Sequence, residues 1–98
     1  MANLRQAARG RDCTIRTPVC SFATEQTVLA HVRMSGISGM GIKAPDIFGA
    51  WSCAPCHVLV DAGQYGGVSL SPDERDLYLL RGVVRTQAIL LKEGLIKC

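Results

Sequence analysis

No stretch of this chain approaches the run of about 20 apolar residues that crosses a bilayer. Residues 1–11, MANLRQAARGR, lack the apolar segment of a secretory signal. The expected compartment is therefore the cytoplasm, with no membrane partner, where cysteines stay reduced. Internal repeats, low-complexity segments and linkers are also missing, so residues 1–98 are expected to form one domain. Aromatic residues are scarce at 5%, but hydrophobic residues reach 48%, which excludes a disordered chain. A chain of 98 residues buries only a modest core, and a staple such as a metal would help it.

Net charge is also low, at +3, but it is unevenly placed. Residues 1–45 hold six cations (Arg5, Arg9, Arg11, Arg16, Arg33, Lys43) against Asp12 and Glu25, a net of +4. A basic half fits a polyanionic partner; a merely solvated basic face is the plainer alternative. The one residue type in excess is cysteine, at five. Cys13 and Cys20 form a C-x6-C pair, Cys53 and Cys56 a C-x2-C pair, and Cys98 is spare. Two separated pairs suggest a four-sulfur metal site.

The pattern predicts a short helical turn over residues 3–9, ended by Gly10, and a cysteine loop around Thr17-Pro18. Residues 27–33 (TVLAHVR) read as a strand, with Leu29, His31 and Arg33 on one face and Val28, Ala30 and Val32 on the other. A Gly-rich loop is expected over 34–46 and a second strand over 47–52. Pro55 and Gly63 bracket a helix over 54–62, followed by loop at 63–70. Ser71, Pro72 and Glu74 supply an N-cap, a first-turn proline and a capping-box acid for a helix over 72–93. Leu77, Leu80, Val84, Ala88, Leu91 and Leu95 recur on it at steps of three and four as an apolar stripe, with Tyr78, Arg81, Arg85 and Lys92 on another side. Gly82, inside it, costs about 1 kcal/mol relative to alanine.

Residues 51–57 read WSCAPCH, a string close to three chemistries. Haem attachment needs an export route and a second axial ligand, and neither is visible. A thioredoxin-like redox pair follows a long buried strand in a βαβ pattern; here a Gly-rich loop and a weak strand precede it, and Cys13, Cys20 and His31 would go unused. A structural zinc site uses Cys13, Cys20, Cys53 and Cys56 together. A cysteine-only site does no chemistry itself, and it leaves the neighbouring His57 facing elsewhere, one turn from Asp61. His57 replacing a cysteine on the zinc is an alternative.

The order is now strand with His31, Gly-rich loop, Asp46, strand, C-x2-C-His, helix. This resembles the HNH or His-Me finger nucleases. More closely, the segments LRQAARGRDC, VLAHVR, KAPD, SCAPCH and RTQAILLKEGLIK are similar to the small prophage-encoded predicted nucleases of the YbcO type. The resemblance covers nearly the whole length. It implies an α+β fold: a small zinc-stapled ββα-metal (HNH/treble-clef-like) core with zinc knuckles at 13–20 and 53–56, a ββα hairpin at about 27–62 and a long C-terminal helix at about 72–93.

It also implies a metal-dependent endonuclease acting on DNA phosphodiesters. In that role His31 would be the general base, and His57, with Asp61 as a second ligand, would hold a catalytic Mg2+ or Mn2+. Arg33 would hold the scissile phosphate, and Asp46 would orient His31 or brace the loop. Arg5, Arg9, Arg11, Arg81 and Arg85 would contact the DNA backbone. Zn2+ would be structural, and a homodimer or phage replication or recombination proteins are candidate partners. Two positions depart from the family pattern: Ala30 stands where a further metal ligand is common, and Asp46 stands where Asn is usual. They motivate the alternative of a non-catalytic zinc-containing module of phage origin that binds nucleic acid or protein.

Overall fold

The computed structural model describes residues 3–33 and 44–97. Most of the expected Gly-rich loop, Lys43 and Cys98 lie outside the described residues. The elements are α1 (Leu4–Ala7), β1 (Val28–His31), a 3-10 turn (Asp46–Phe48), β2 (Gly49–Ser52), α2 (Ala54–Ala62), β3 (Gln64–Tyr65), β4 (Val68–Ser69) and α3 (Pro72–Lys92). The architecture is thus small α+β with a long C-terminal helix. Among the described residues no helix is long and apolar enough to cross a membrane.

Local chemistry explains the helix ends. The Asn3 side chain accepts from the Arg5 and Gln6 amides and starts α1. At α3, Ser71 Oγ accepts from the Glu74 amide while the Glu74 carboxylate accepts from the Ser71 amide. α2 begins with Pro55 in its first turn and ends at Gly63, whose φ of 84° closes the helix on the Leu59 carbonyl.

β1 and β2 pair antiparallel, with Leu29 opposite Trp51, Ala30 opposite Ala50 and His31 opposite Gly49. Every residue of β2 is buried. Its alternation feeds two clusters. Ala50 joins Cys13, Ile15, Ala30, Val32, Cys53, Cys56, Val60 and Val83. Trp51 joins Ala8 and Leu90, with Leu4, Leu29, Ile89, Leu95 and Ile96 around them. Between the clusters runs a closed network of hydroxyls. Thr14 Oγ1 donates to the Trp51 carbonyl (3.0 Å), Thr86 Oγ1 donates to Thr14 Oγ1 (2.8 Å), and the Trp51 amide donates to Thr86 Oγ1 (3.1 Å). The Thr86 hydroxyl pairs a Trp51 amide that would otherwise be buried unpaired, and the Trp51 carbonyl accepts from the Thr14 amide (2.8 Å) as well as from its hydroxyl.

Three expectations are corrected. Residues 63–70 are not plain loop: β3 and β4 form a hairpin whose two turn residues, Gly66 and Gly67, have φ of 57° and 84°. A two-residue turn with both φ positive matches strand twist, and glycine adopts it without a Cβ clash. The second strand is shorter than 47–52, because residues 46–48 wind into the 3-10 turn. The third correction concerns α3. Its buried residues are Gly82, Val83, Thr86 and Leu90. The expected stripe of Leu77, Leu80, Val84, Ala88 and Leu91 is exposed instead. Both sides of α3 carry apolar residues at helical spacing, and β2 selects the side that lets it come close. A Cβ at Gly82 would meet Ala50 Cβ and Ile15 Cγ1, each at 2.9 Å.

Candidate metal centre and active-site cleft

The two cysteine pairs converge. The sulfurs of Cys13, Cys20, Cys53 and Cys56 all lie within 4.8 Å of one another. Zinc–sulfur bonds of about 2.3 Å give a tetrahedron with edges of about 3.8 Å. The Cys20 and Cys53 sulfurs are 3.8 Å apart. The surroundings suit thiolates. Backbone amides of Ile15, Arg16 and Cys53 favour the Cys13 thiolate, that of Phe22 the Cys20 thiolate, and that of Thr17 the Cys56 thiolate. The Thr17 hydroxyl adds a contact of 3.0 Å to the Cys56 sulfur. Two of these amides belong to the non-glycine residues with positive φ, Arg16 at 57° and Phe22 at 58°. The left-handed turn costs energy at each, and it aims an amide at a sulfur.

The protons are shared unequally. The hydrogen bond with Cys56 and the surrounding amides push the Cys13 thiol down to about 4. The same bond, with burial, pushes Cys56 up. Burial raises Cys20 to about 11. A soft dication would displace the remaining protons, since cysteine binds metal as thiolate. Four close cysteines are thus suited to a metal such as zinc, and His57 is not needed to complete the set.

One residue beyond Cys56, His57 turns away into a cleft of about 230 Å³. β1 contributes Ala30 and His31 to its lining, α2 contributes His57, Val60 and Asp61, and α3 contributes Pro72, Arg75, Asp76 and Leu79; Arg33 completes it. His31 Nε2 is 2.7 Å from Asp46 Oδ1, which also accepts from Arg5 Nε at 3.3 Å. The Asp46 carboxyl is held below the usual carboxylate range, first by His31 and then by Arg5. An ionised Asp46 only accepts, so Nε2 carries the proton and Nδ1 is left as the basic nitrogen. Across the cleft Arg33 Nη2 pairs with Asp61 Oδ1 at 2.7 Å. Arg75 donates to the last α2 carbonyls, Val60 O at 2.8 Å and Asp61 O at 2.5 Å, and so ties α2 to α3.

A family model described as "Putative nuclease YbcO" matches residues 2–95. This chain belongs to the YbcO family. Two relatives, "Putative nuclease YbcO" of Escherichia coli (strain K12) and "Putative nuclease ybcO" of Enterobacteria phage 82, are each 43% identical over 98 residues, covering 99% of both chains. The solved structure of "a putative bacteriophage protein from Escherichia coli str. K-12 substr. MG1655" matches with a TM-score of 0.74 at 36% identity, over 94% of this chain and 100% of that one.

In this YbcO chain, then, His31, Arg33, His57 and Asp61 line one cleft, and Asp46 stands behind His31. Among the described residues the cysteines are the only group of three or more metal-ligand side chains close enough to share an ion. His57 and Asp61, one turn apart on α2, both line the cleft. The basic residues divide. Arg9 and Arg81 are exposed, and Arg5 is held by Asp46. Arg11 is engaged within the chain: it forks onto both Glu93 oxygens at 2.6 Å each and lies 4.7 Å from the Trp51 ring centre. Arg85 likewise turns inward, to the Thr14 carbonyl at 2.7 Å. Sequence reasoning missed Arg75, Asp76 and Leu79 in the cleft. Nothing local marks them, since they reach it only because α3 packs beside α2.

Proposed function

We propose that this chain is a metal-dependent endonuclease that hydrolyses DNA phosphodiesters, built on an HNH-like ββα core with a structural zinc. The observation that carries the proposal is the convergence of His31 from β1 and His57 from α2 on one cleft, with the His31 tautomer fixed by Asp46. The names of the E. coli and phage 82 relatives support it. His31 takes a proton from the attacking water at Nδ1, and Asp46 keeps the ring oriented and stabilises the imidazolium that forms. His57 and Asp61 are the residues that would hold Mg2+ or Mn2+, which would supply charge stabilisation on the phosphate and the leaving oxygen. Arg33 leaves Asp61 and pairs with a phosphate oxygen. Arg9 and Arg81 contact the DNA backbone. The setting is the cytoplasm of a bacterial host, with phage replication or recombination proteins as partners.

A second reading, a zinc-containing module that binds nucleic acid or protein without cutting, is favoured by Asp61 being engaged by Arg33 and by Ala30 offering no ligand. Nicking of supercoiled plasmid, wild type beside His31→Ala, separates the two. Nicking that requires Mg2+ or Mn2+ and is lost in the variant is the expected result. DNA bound but uncut by either protein favours the second reading, and equal nicking by both removes His31 from the mechanism.

A further inference from the structure

The exposed stripe on α3 lies opposite the face that packs on β2, and it has a symmetry of its own. Leu77, Leu80, Val84, Ala88 and Leu91 stand at −7, −4, 0, +4 and +7 from Val84. Leu77, Leu80, Val84 and Leu91 are 46%, 50%, 59% and 42% exposed, and Ala88 is exposed beside them. The stripe runs over about 21 Å of helix at 1.5 Å per residue. A continuous apolar band of that length on a solvent face marks an interaction surface.

We propose that this stripe is covered by the same stripe of a second copy, the two α3 helices lying antiparallel about a two-fold axis at Val84. Such an axis requires a self-complementary patch, in which residue i meets j and j meets i. The spacing provides it. Val84 meets its own equivalent, Leu77 meets Leu91, and Leu80 meets Ala88, so every position on the stripe meets an apolar partner. Charge agrees with this direction: the first turn carries Asp73 and Glu74 and the last turn Lys92. Antiparallel packing sets acidic beside basic ends and opposes the two helix dipoles. Parallel packing would stack Leu80 on Leu80, Ala88 on Ala88 and like charges on like. One helix pair is a small interface, so the dimer dissociates on dilution.

The test is sedimentation velocity of the zinc-loaded full chain from micromolar to near-millimolar concentration, wild type beside Val84→Glu. A concentration-dependent dimer in wild type, and a monomer with unchanged helical signal in Val84→Glu, is the expected result. A wild type that stays monomeric throughout, or a variant that dimerises as wild type does, overturns the proposal. Orientation is read by disulfide trapping in a Cys98→Ser background. Val84→Cys should cross-link to itself and Leu77→Cys should not, while Leu77→Cys paired with Leu91→Cys should. Self-cross-linking of Leu77→Cys overturns the antiparallel arrangement even where Val84→Glu fails to fold.

Discussion

Replacing Gly82 by alanine sets two effects of similar size against each other. In an open helix the change is favourable by about 1 kcal/mol, because glycine pays more backbone entropy. At this position the new methyl would sit 2.9 Å from Ala50 Cβ and from Ile15 Cγ1, and 3.3 Å from Ile15 Cα. Ala50 is fixed in a paired strand, and Ile15 is fully buried beside the Cys13 turn, so neither can step aside without moving backbone. Overpacking of this kind costs about 1–3 kcal/mol. The expected net is a loss of about 1 kcal/mol, or roughly 4–8 °C in Tm for a domain of this size. Thermal unfolding of the zinc-loaded protein reads it directly. Arg81→Gly against Arg81→Ala, at the exposed neighbouring position, calibrates propensity alone. A Gly82→Ala protein more stable than wild type by the full propensity difference would refute close α3–β2 packing as the reason for glycine here.

Removal of metal by a strong chelator should abolish the cooperative thermal transition, because four close sulfurs, three of them on buried cysteines, would be left with protons and mutual contacts only; circular dichroism with intact helical signal after complete chelation would contradict this. Asp46→Asn should slow any nicking while leaving zinc content unchanged, since it replaces an acceptor-only carboxylate beside His31 with a neutral amide that can also donate, so the His31 tautomer is no longer fixed and an imidazolium is no longer stabilised. The same variant carries a pH signature. The Asp46 carboxyl is held low in the folded state, so its contact stabilises above the ordinary carboxylate pKa of about 3.9 and is lost as pH falls through the depressed folded value. Wild type and Asp46→Asn should therefore differ in Tm near neutral pH and converge in acid; a constant gap across that range would count against the His31–Asp46 contact.

What could be read from the sequence was local. The C-x6-C and C-x2-C pairs announce a sulfur site because chelation depends on spacing within a turn. The ends of α2 and α3 announce themselves through Pro55, Gly63, Ser71 and Glu74. The buried face of α3 was not legible, because Leu77-Leu80-Val84 and Leu79-Val83-Leu90 are equally apolar. The choice depended on Gly82 and Thr86 fitting Ala50 and Thr14 across the fold. The β3–β4 hairpin was signalled by Gly66-Gly67, but strands of two residues leave too little alternation to read. Arg11 looked like a free cation because its partner, Glu93, is 82 positions away.

The contact between Arg33 and Asp61 also has a thermodynamic meaning. On the proposed mechanism each residue occupies the other's site for a ligand: the carboxylate stands where an anion would sit at Arg33, and the guanidinium where a cation would sit at Asp61. A cation that takes Asp61 releases Arg33, and an anion that takes Arg33 releases Asp61. On the proposed mechanism the two ligands would therefore be positively cooperative, and each would raise the other's affinity by the same factor. The pair is open to water, with side chains 72% and 43% exposed. An exposed pair of this kind is worth at most about 1 kcal/mol, which limits the reciprocal gain to about fivefold and makes it fade as salt is added.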